Sequence, residues 1–462
     1  MKERGSAVAW WTLAVLLVGQ SLTQFAASQS APVLTADPKI KAALNEISGS
    51  RIQADIDKLV SFGTRSTLSP QDTAAIASGR GIGAAREWIK SEFERYSKDC
   101  GGCLEVKTDS YTQEPAERVK EPTVITNVYA VLEGSDPENR KRVVLVTGHY
   151  DSRNSDNYNV TDDAPGANDD ASGTAVSLEC ARVLSKLKFP GTIIFLTVAG
   201  EEQGLYGSKH LAKVAKDQGW DLEAVLNNDI VGGDKSPEQD HSVIRVFSEG
   251  IPALASDQDL RPIRLVGGES DSGSRQLARY MVEVGTSYDP GVKPMMIFRQ
   301  DRYLRGGDHY SFNQQGFAAV RITEFREDFH HQHQNVRMEN SLQYGDLAKF
   351  VDFDYVARVA RLNAATLASL GAAPTPPANV HLETKGLEND STLTWDASPG
   401  GLATSYQVLW RATTSPEWEH SQDVGNLTRT TMNLSKDNVI FAVAACDKAG
   451  HCSLPVVPTP ER

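Results

Sequence analysis

The runs VVLVTGHYDS (residues 143–152) and TIIFLTVAGEE (residues 192–202) decide the fold. Each opens as a short stretch that is apolar on both faces and closes on polar side chains at its carboxyl end. A strand exposed to water on one face would alternate, whereas continuously apolar strands belong to a parallel sheet covered by helices on both sides. Working outward, residues 123–132, 224–226, 243–247 and 318–322 read as further strands, and 174–187 and 205–218 as helices. Residues 38 to about 96 are helical in pattern, with a Gly/Ser/Pro-rich break at 66–83, and a helical stretch over 345–370 closes the unit. The expected fold is α/β, a mostly parallel mixed sheet sandwiched by helices, occupying residues 35–371.

The two ends read differently. Lys2 and Arg4 precede an apolar run over 7–18 and the small residues Ala26, Ala27 and Ser28. That order predicts a secretory signal peptide over residues 1–28, and twelve apolar residues are too few to cross a membrane. The expected location is secreted or periplasmic. Residues 372–377, within GAAPTPP, read as a linker. Beyond it, short strand patterns at 380–383, 391–395, 405–410, 430–434 and 439–445 predict an all-β sandwich over 378–462. Pro377, Trp395, the alternation Tyr406–Val408–Trp410 and the strand FAVAACD resemble a fibronectin type III module. Trp395, Trp410 and Trp418 are expected in its core or rim.

With 47 Lys and Arg against 60 Asp and Glu, the chain carries −13 charges, which excludes a phosphate-backbone partner. Of five cysteines, Cys100 with Cys103 and Cys446 with Cys452 are close enough in sequence to form disulfides in an oxidising compartment. Cys180 falls inside an apolar helix pattern and is expected buried.

Chemistry-bearing residues cluster where strands end: His149 and Asp151 in GHYDS, Glu201 and Glu202 in AGEEQG, and Asp229 in NNDIVGG. Asp169 and Asp170 in PGANDDASG precede a helix, and FHHQHQN supplies His330, His331 and His333. In an open parallel sheet the carboxyl ends of the strands form the binding edge. Imidazole with carboxylate suits zinc, and a shared carboxylate lets two ions sit about 3.5–4 Å apart. His149, Asp169, Glu202, Asp229 and one late His make up such a set. Glu201 is then left free to take a proton from water, and Asp151 is placed to orient His149.

In chain order, GHYDS, PGANDDASG, AGEEQGLYGS, NNDIVGG and the terminal His motif resemble the zinc-dependent aminopeptidase family M28, and the likeness spans about residues 47–370. It implies a zinc-exopeptidase (phosphorylase/hydrolase-like) fold and two Zn2+ ions. Asp169 would bridge them, with His149 and Asp229 on one ion and Glu202 and the late His on the other. It further implies Glu201 as general base and a cis peptide bond between Asp169 and Asp170. The family's closing motif is His-Thr-x-x-Asp. Here His331-Gln332-His333-Gln334-Asn335 aligns with it but departs at the Thr and the Asp, so His331 is the expected ligand, with His330 and His333 as alternatives. GGDHYSFNQQG resembles the family's substrate-side segment and implies that Asp308 and His309 face the pocket.

The expected activity is removal of N-terminal residues from peptide or protein substrates with free N-termini. Glutaminyl cyclisation on a similar fold with one zinc, carboxypeptidase or dipeptidase activity, and a non-catalytic binding scaffold are the competing readings. No G-x-S-x-G elbow and no HExxH helix is present.

Overall fold

The computed structural model describes residues 34–461. The secretory segment read over residues 1–28 lies outside the described residues. An eight-stranded sheet forms the centre: β1 (Leu104–Gln113), β2 (Thr123–Leu132), β3 (Arg142–His149), β4 (Thr192–Val198), β5 (Asp221–Asn228), β6 (Val243–Ser248), β7 (Lys293–Ile297) and β8 (Ala319–Glu324). Their spatial order is β1-β2-β4-β3-β5-β8-β6-β7. The central four, β4, β3, β5 and β8, run parallel, and β2 and β6 pair antiparallel on either side. Every residue of β3, β4 and β8 is buried, which is why these strands do not alternate in sequence.

The two faces of the sheet carry different loads. Val144 and Val146 of β3 join a large core with the helices Gly49–Val60, Ile82–Asp99, Ala171–Leu184, Gly273–Tyr288 and Phe353–Ala372. Val143 and Leu145 point the other way, into a smaller core with Leu211 and Ala212 of helix Tyr206–Asp217 and Phe312 of helix Asp308–Asn313. Helix Ala171–Leu184 is buried almost all round, so it is apolar on every side rather than amphipathic. Gly148 and Gly173 allow its close approach: a Cβ on Gly148 would lie 2.3 Å from the Gly173 carbonyl carbon.

The closing helix begins at Phe353, later than its apolar pattern implies. A 3-10 turn, Ala348–Phe350, precedes it, and Asp352 accepts from the backbone of Asp354 and Tyr355 as its cap. A small hairpin, β9 (Arg337–Glu339) with β10 (Leu342–Tyr344), follows the His-rich segment.

Past the closing helix the chain is not slack. Ala373 is fully buried, and Arg142, paired with Glu223 at 2.8 Å, donates to the carbonyls of Ala373 (2.6 Å) and Leu370 (3.1 Å). Seven strands follow: β11 (Ala378–Glu383), β12 (Ser391–Asp396), β13 (Ser405–Ala412), β14 (His420–Asp423), β15 (Arg429–Met432), β16 (Val439–Cys446) and β17 (Thr459–Glu461). They form a four-stranded sheet, β15-β12-β11-β17, and a three-stranded sheet, β14-β13-β16. Leu393 and Trp395 of one sheet and Tyr406, Val408, Trp410 and Val443 of the other share one core, so these strands do alternate. Trp418 is also buried, but on the outer side, where Leu409, Ala442 and Ala444 join the large core of the α/β unit.

At that junction Asp271 Oδ1 accepts from Arg279 Nη1 (3.0 Å) and Arg411 Nη2 (2.8 Å), and both guanidiniums lie near the Trp418 ring. Both sequence-paired cysteine couples are disulfide-bonded, and Cys180 is free and buried. Among the described residues no helix is long and apolar enough to cross a membrane.

Two outcomes are expected. Asp271→Asn leaves two buried guanidiniums without a counter-charge, so urea denaturation should register a loss of about 3–5 kcal/mol. Asp55 is buried between helices, with Oδ2 unpartnered; burial and then Glu179 push its carboxyl up to about 8. Its folded-state pKa lies above its unfolded value, so stability falls as pH rises from about 4 to about 8. Asp55→Asn should remove that slope in melting temperatures recorded across the same range.

Candidate metal centre and cleft

Each of the four parallel strands delivers part of the site from its carboxyl end. β3 ends in His149, β4 runs into Glu201 and Glu202, β5 into Asp229, and β8 into the segment that carries the late histidines. Asp169 and Asp170 arrive at the head of helix Ala171–Leu184, and the peptide bond between them is cis.

Among the described residues the ligand-type atoms gather in three groups: His149 with Glu201 and Asp229, Asp169 with Glu202 and His333, and His331 with Asp234 and Asp328. Asp169 joins the first two: its Oδ1 lies 3.1 Å from His149 Nε2, and its Oδ2 lies 2.9 Å from His333 Nε2. His333 Nε2 is also 3.0 Å from Glu202 Oε2. His331, the residue expected here, is not brought to this site. Its Nδ1 is 2.5 Å from Asp234 Oδ2, and its ring stacks on Phe350 at 3.7 Å. Of the three histidines, His333 is the one that lies beside Asp169 and Glu202. His333 takes a left-handed backbone (φ 55°), a local conformation that alignment to a motif does not reveal. His330 is exposed and pairs with Asp328.

Asp151 organises more than the imidazole. The Asp151 backbone carbonyl is 3.1 Å from His149 Nδ1, and its Oδ1 is 3.4 Å away. Its Oδ2 accepts from Thr67 Oγ1 (2.8 Å) and the Glu202 N–H (3.2 Å), and its Oδ1 from the Glu201 N–H (3.4 Å). One carboxylate thereby fixes the turn that presents both glutamates. Asp170 ties in the same way: it accepts from the backbone N–H groups of His149 (3.0 Å), Gly173 (2.9 Å) and Ile230 (3.2 Å), pinning β3, the helix start and the end of β5.

Burial pushes Glu201 well above the ordinary carboxylate range; His149 opposes this, and Asp229, Glu202 and Asp308 reinforce it. Asp169 is held well below that range because His333 and His149 outweigh its burial. Asp308 and His309 are fully buried and sit behind the cleft without lining it. Both Asp308 oxygens lack a hydrogen-bond partner, and burial raises its carboxyl to about 7. His309 Nε2 is 3.0 Å from the Gln300 carbonyl.

Several participants carried no sequence signal that we read. Gln332 donates to Asp169 Oδ2 (2.9 Å), and Asp346 accepts from the N–H groups of Asn168 and Asp169. Arg321 holds Asp229 Oδ2 at 2.7 Å, leaving Oδ1 turned to His149 at 4.0 Å. Arg153 donates to Glu202 Oε2 (2.9 Å) and lies 2.6 Å from His333 Nδ1. Its place in HYDSR, two residues past Asp151, was the one available hint.

The donor set fits zinc: two imidazoles and several carboxylates converge, and the buried atoms His149 Nε2 and Glu202 Oε1 have no hydrogen-bond partner. The model of peptidase family M28 matches residues 127–351. Over 429 residues the chain is 47% identical to a "Probable zinc metalloprotease" of Pyrenophora tritici-repentis (strain Pt-1C-BFP), covering 92% of this chain and 87% of that protein. The chain belongs to peptidase family M28. The M28 fold is shared with more distant solved structures. The aminopeptidase LapA of Legionella pneumophila aligns with a TM-score of 0.51 at 20% identity, over 75% of this chain and 78% of that one. A Macrostomum lignano glutaminyl cyclase aligns with a TM-score of 0.51 at 16% identity, over 73% and 94%.

His333→Ala should lower the zinc bound per chain, measured by atomic emission on dialysed protein, whereas His331→Ala should leave it unchanged. Equal losses in both variants would return His331 to the ligand set.

Proposed function

We propose that this M28 member is a secreted zinc exopeptidase that removes N-terminal residues from peptides, with two zinc ions at one site. The observation that carries this reading is the Asp169 carboxylate, with one oxygen toward His149 and the other toward His333. His149 and Asp229 would hold one ion, Glu202 and His333 the other, and Asp169 both. Zinc, when bound, polarises the scissile carbonyl and lowers the pKa of water.

The remaining work falls to the chain. Glu201 falls within the His149 and Asp229 group; with Asp169 completing that ligand set, its carboxylate is free to take the proton of the attacking water and give it to the leaving amine nitrogen. Asp151 keeps Glu201, Glu202 and His149 in register through its backbone and carboxylate bonds. Asp308 and His309 are fully buried, so a substrate-side role for them would act through the residues that line the cleft.

Two disulfides, including one beside the helix Ile82–Asp99, support export to an oxidising compartment. Trp395, tilted against Tyr406 with ring centroids 5.5 Å apart in a two-sheet core, supports the fibronectin type III reading of residues 378–462.

Zinc-loaded protein incubated with free and N-acetylated peptides, followed by mass spectrometry, tests the activity. Stepwise loss of N-terminal residues from the free peptides alone is expected. Glu201→Gln should lower kcat by about 100- to 10,000-fold with both zinc ions retained. A chelator should abolish turnover and zinc restore it. Loss of ammonia from Gln-initiated peptides, or trimming from the C-terminus, would replace this reading.

A further inference from the structure

A cleft of about 520 Å³ opens onto Glu201, Glu202 and His333, and three arginines, Arg118, Arg153 and Arg305, line it. In an acidic chain built around a carboxylate cluster, that wall needs a reason. Arg153 has one: its Nε serves Glu202, its Nη2 meets His333 Nδ1, and its Nη1 reaches the Asn154 carbonyl at 3.3 Å. All three of its nitrogens are engaged, so it positions the site rather than the substrate.

The other two are not consumed in this way. Among the described residues Arg118 makes a single hydrogen bond, from Nη1 to the Glu202 carbonyl (3.1 Å). Arg305 likewise makes one, from Nη1 to Glu327 Oε2 (3.2 Å). Each is anchored by one nitrogen and keeps its remaining N–H groups for something else. A guanidinium carries five N–H donors in a planar fork that matches a carboxylate two at a time. The two carboxylates that line the cleft, Glu201 and Glu202, belong to the metal-side groups, and Glu327, the acid paired with Arg305, lies outside the lining and is shared with Arg302 and Arg245. Leu304 and Phe329, both well exposed at the mouth, border the arginines with apolar surface, against which a charge-assisted bond is stronger than in open water.

We propose that this cleft recognises a substrate carboxylate through Arg118 and Arg305, selecting acidic or very short peptides. The inference rests on the exopeptidase reading above. The carboxylate has two possible sources with the same chemistry: an Asp or Glu side chain next to the scissile bond, or the C-terminus of a dipeptide.

The test separates these sources and also separates this inference from the activity itself. Zinc-loaded full-length protein is given Asp-Ala-amide beside Asn-Ala-amide, and Leu-Ala beside Leu-Ala-amide, with kcat and KM measured for each. At least about a 10-fold lower KM for the charged member of one pair is expected, as for hydrogen bonds to a charged group. The pair that shows it names the source. In the double variant Arg118→Gln/Arg305→Gln the difference should vanish while hydrolysis of the uncharged member stays near wild type, and in wild type added salt should shrink it. Equal KM within both pairs overturns the proposal, and so does a preference that survives the double variant. Calorimetric binding of the same four peptides to Glu201→Gln protein decides the matter without turnover. If wild type cleaves nothing yet the carboxylate forms bind more tightly through these arginines, the exopeptidase reading falls and this one stands. If acid and amide forms bind alike, this one falls.

Discussion

Negative charge packed at the carboxyl edge of four parallel strands is the constraint on which the rest depends. Asp151, Asp169, Asp170, Glu202, Asp229 and Asp308 are all buried there, with Glu201 beside them. Carboxylates taken out of water repel one another and lose hydration, so each must be neutralised, bonded to N–H groups or given a cation. The structure uses all three devices. Asp170 is consumed by backbone donors, Asp229 leans on Arg321, and Asp169 lies between two imidazoles. Glu201 and Asp308 are left with proton affinities far above those of surface acids. The donor chemistry of such an edge suits divalent cations.

Much of this was legible in the chain. The apolar runs of β3 and β4 revealed a sheet buried on both faces, and their abrupt polar endings showed which edge carries chemistry. The convergence of His149, Asp169, Glu202 and Asp229 could be read because each follows a strand or precedes a helix within a recognisable stretch. The late histidine could not. Three histidines within four residues have equal chemistry, and the choice is made by the path of a loop: the left-handed turn at His333 sends its ring to Asp169, while Asp234 and the Phe350 face capture His331. Arg321, Gln332 and Asp346 were invisible for a related reason. Their roles depend on contacts across more than ninety residues of sequence, and nothing local marks them.

The same distinction holds for the secondary structure. Strands that pack on the two cores announced themselves by burial, but the edge strand β7 and the helix Gly273–Tyr288 did not, because their patterns are mixed and their identity comes from what they lean on. The start of the closing helix was set by the Asp352 cap rather than by its apolar residues, which begin earlier. The short residues 372–377 read as a flexible tether by composition, yet Arg142 straps that segment to the sheet.

That strap, together with the Asp271 junction and Trp418 set between two guanidiniums, fixes the bearing of the C-terminal sheets on the α/β body. A module on a loose tether searches a volume, and its reach averages over many angles. Here the second unit is a rigid outrigger. Any group on its free faces stands at one distance and one orientation from the carboxyl edge of the large sheet, so geometry, rather than local concentration, relates the two.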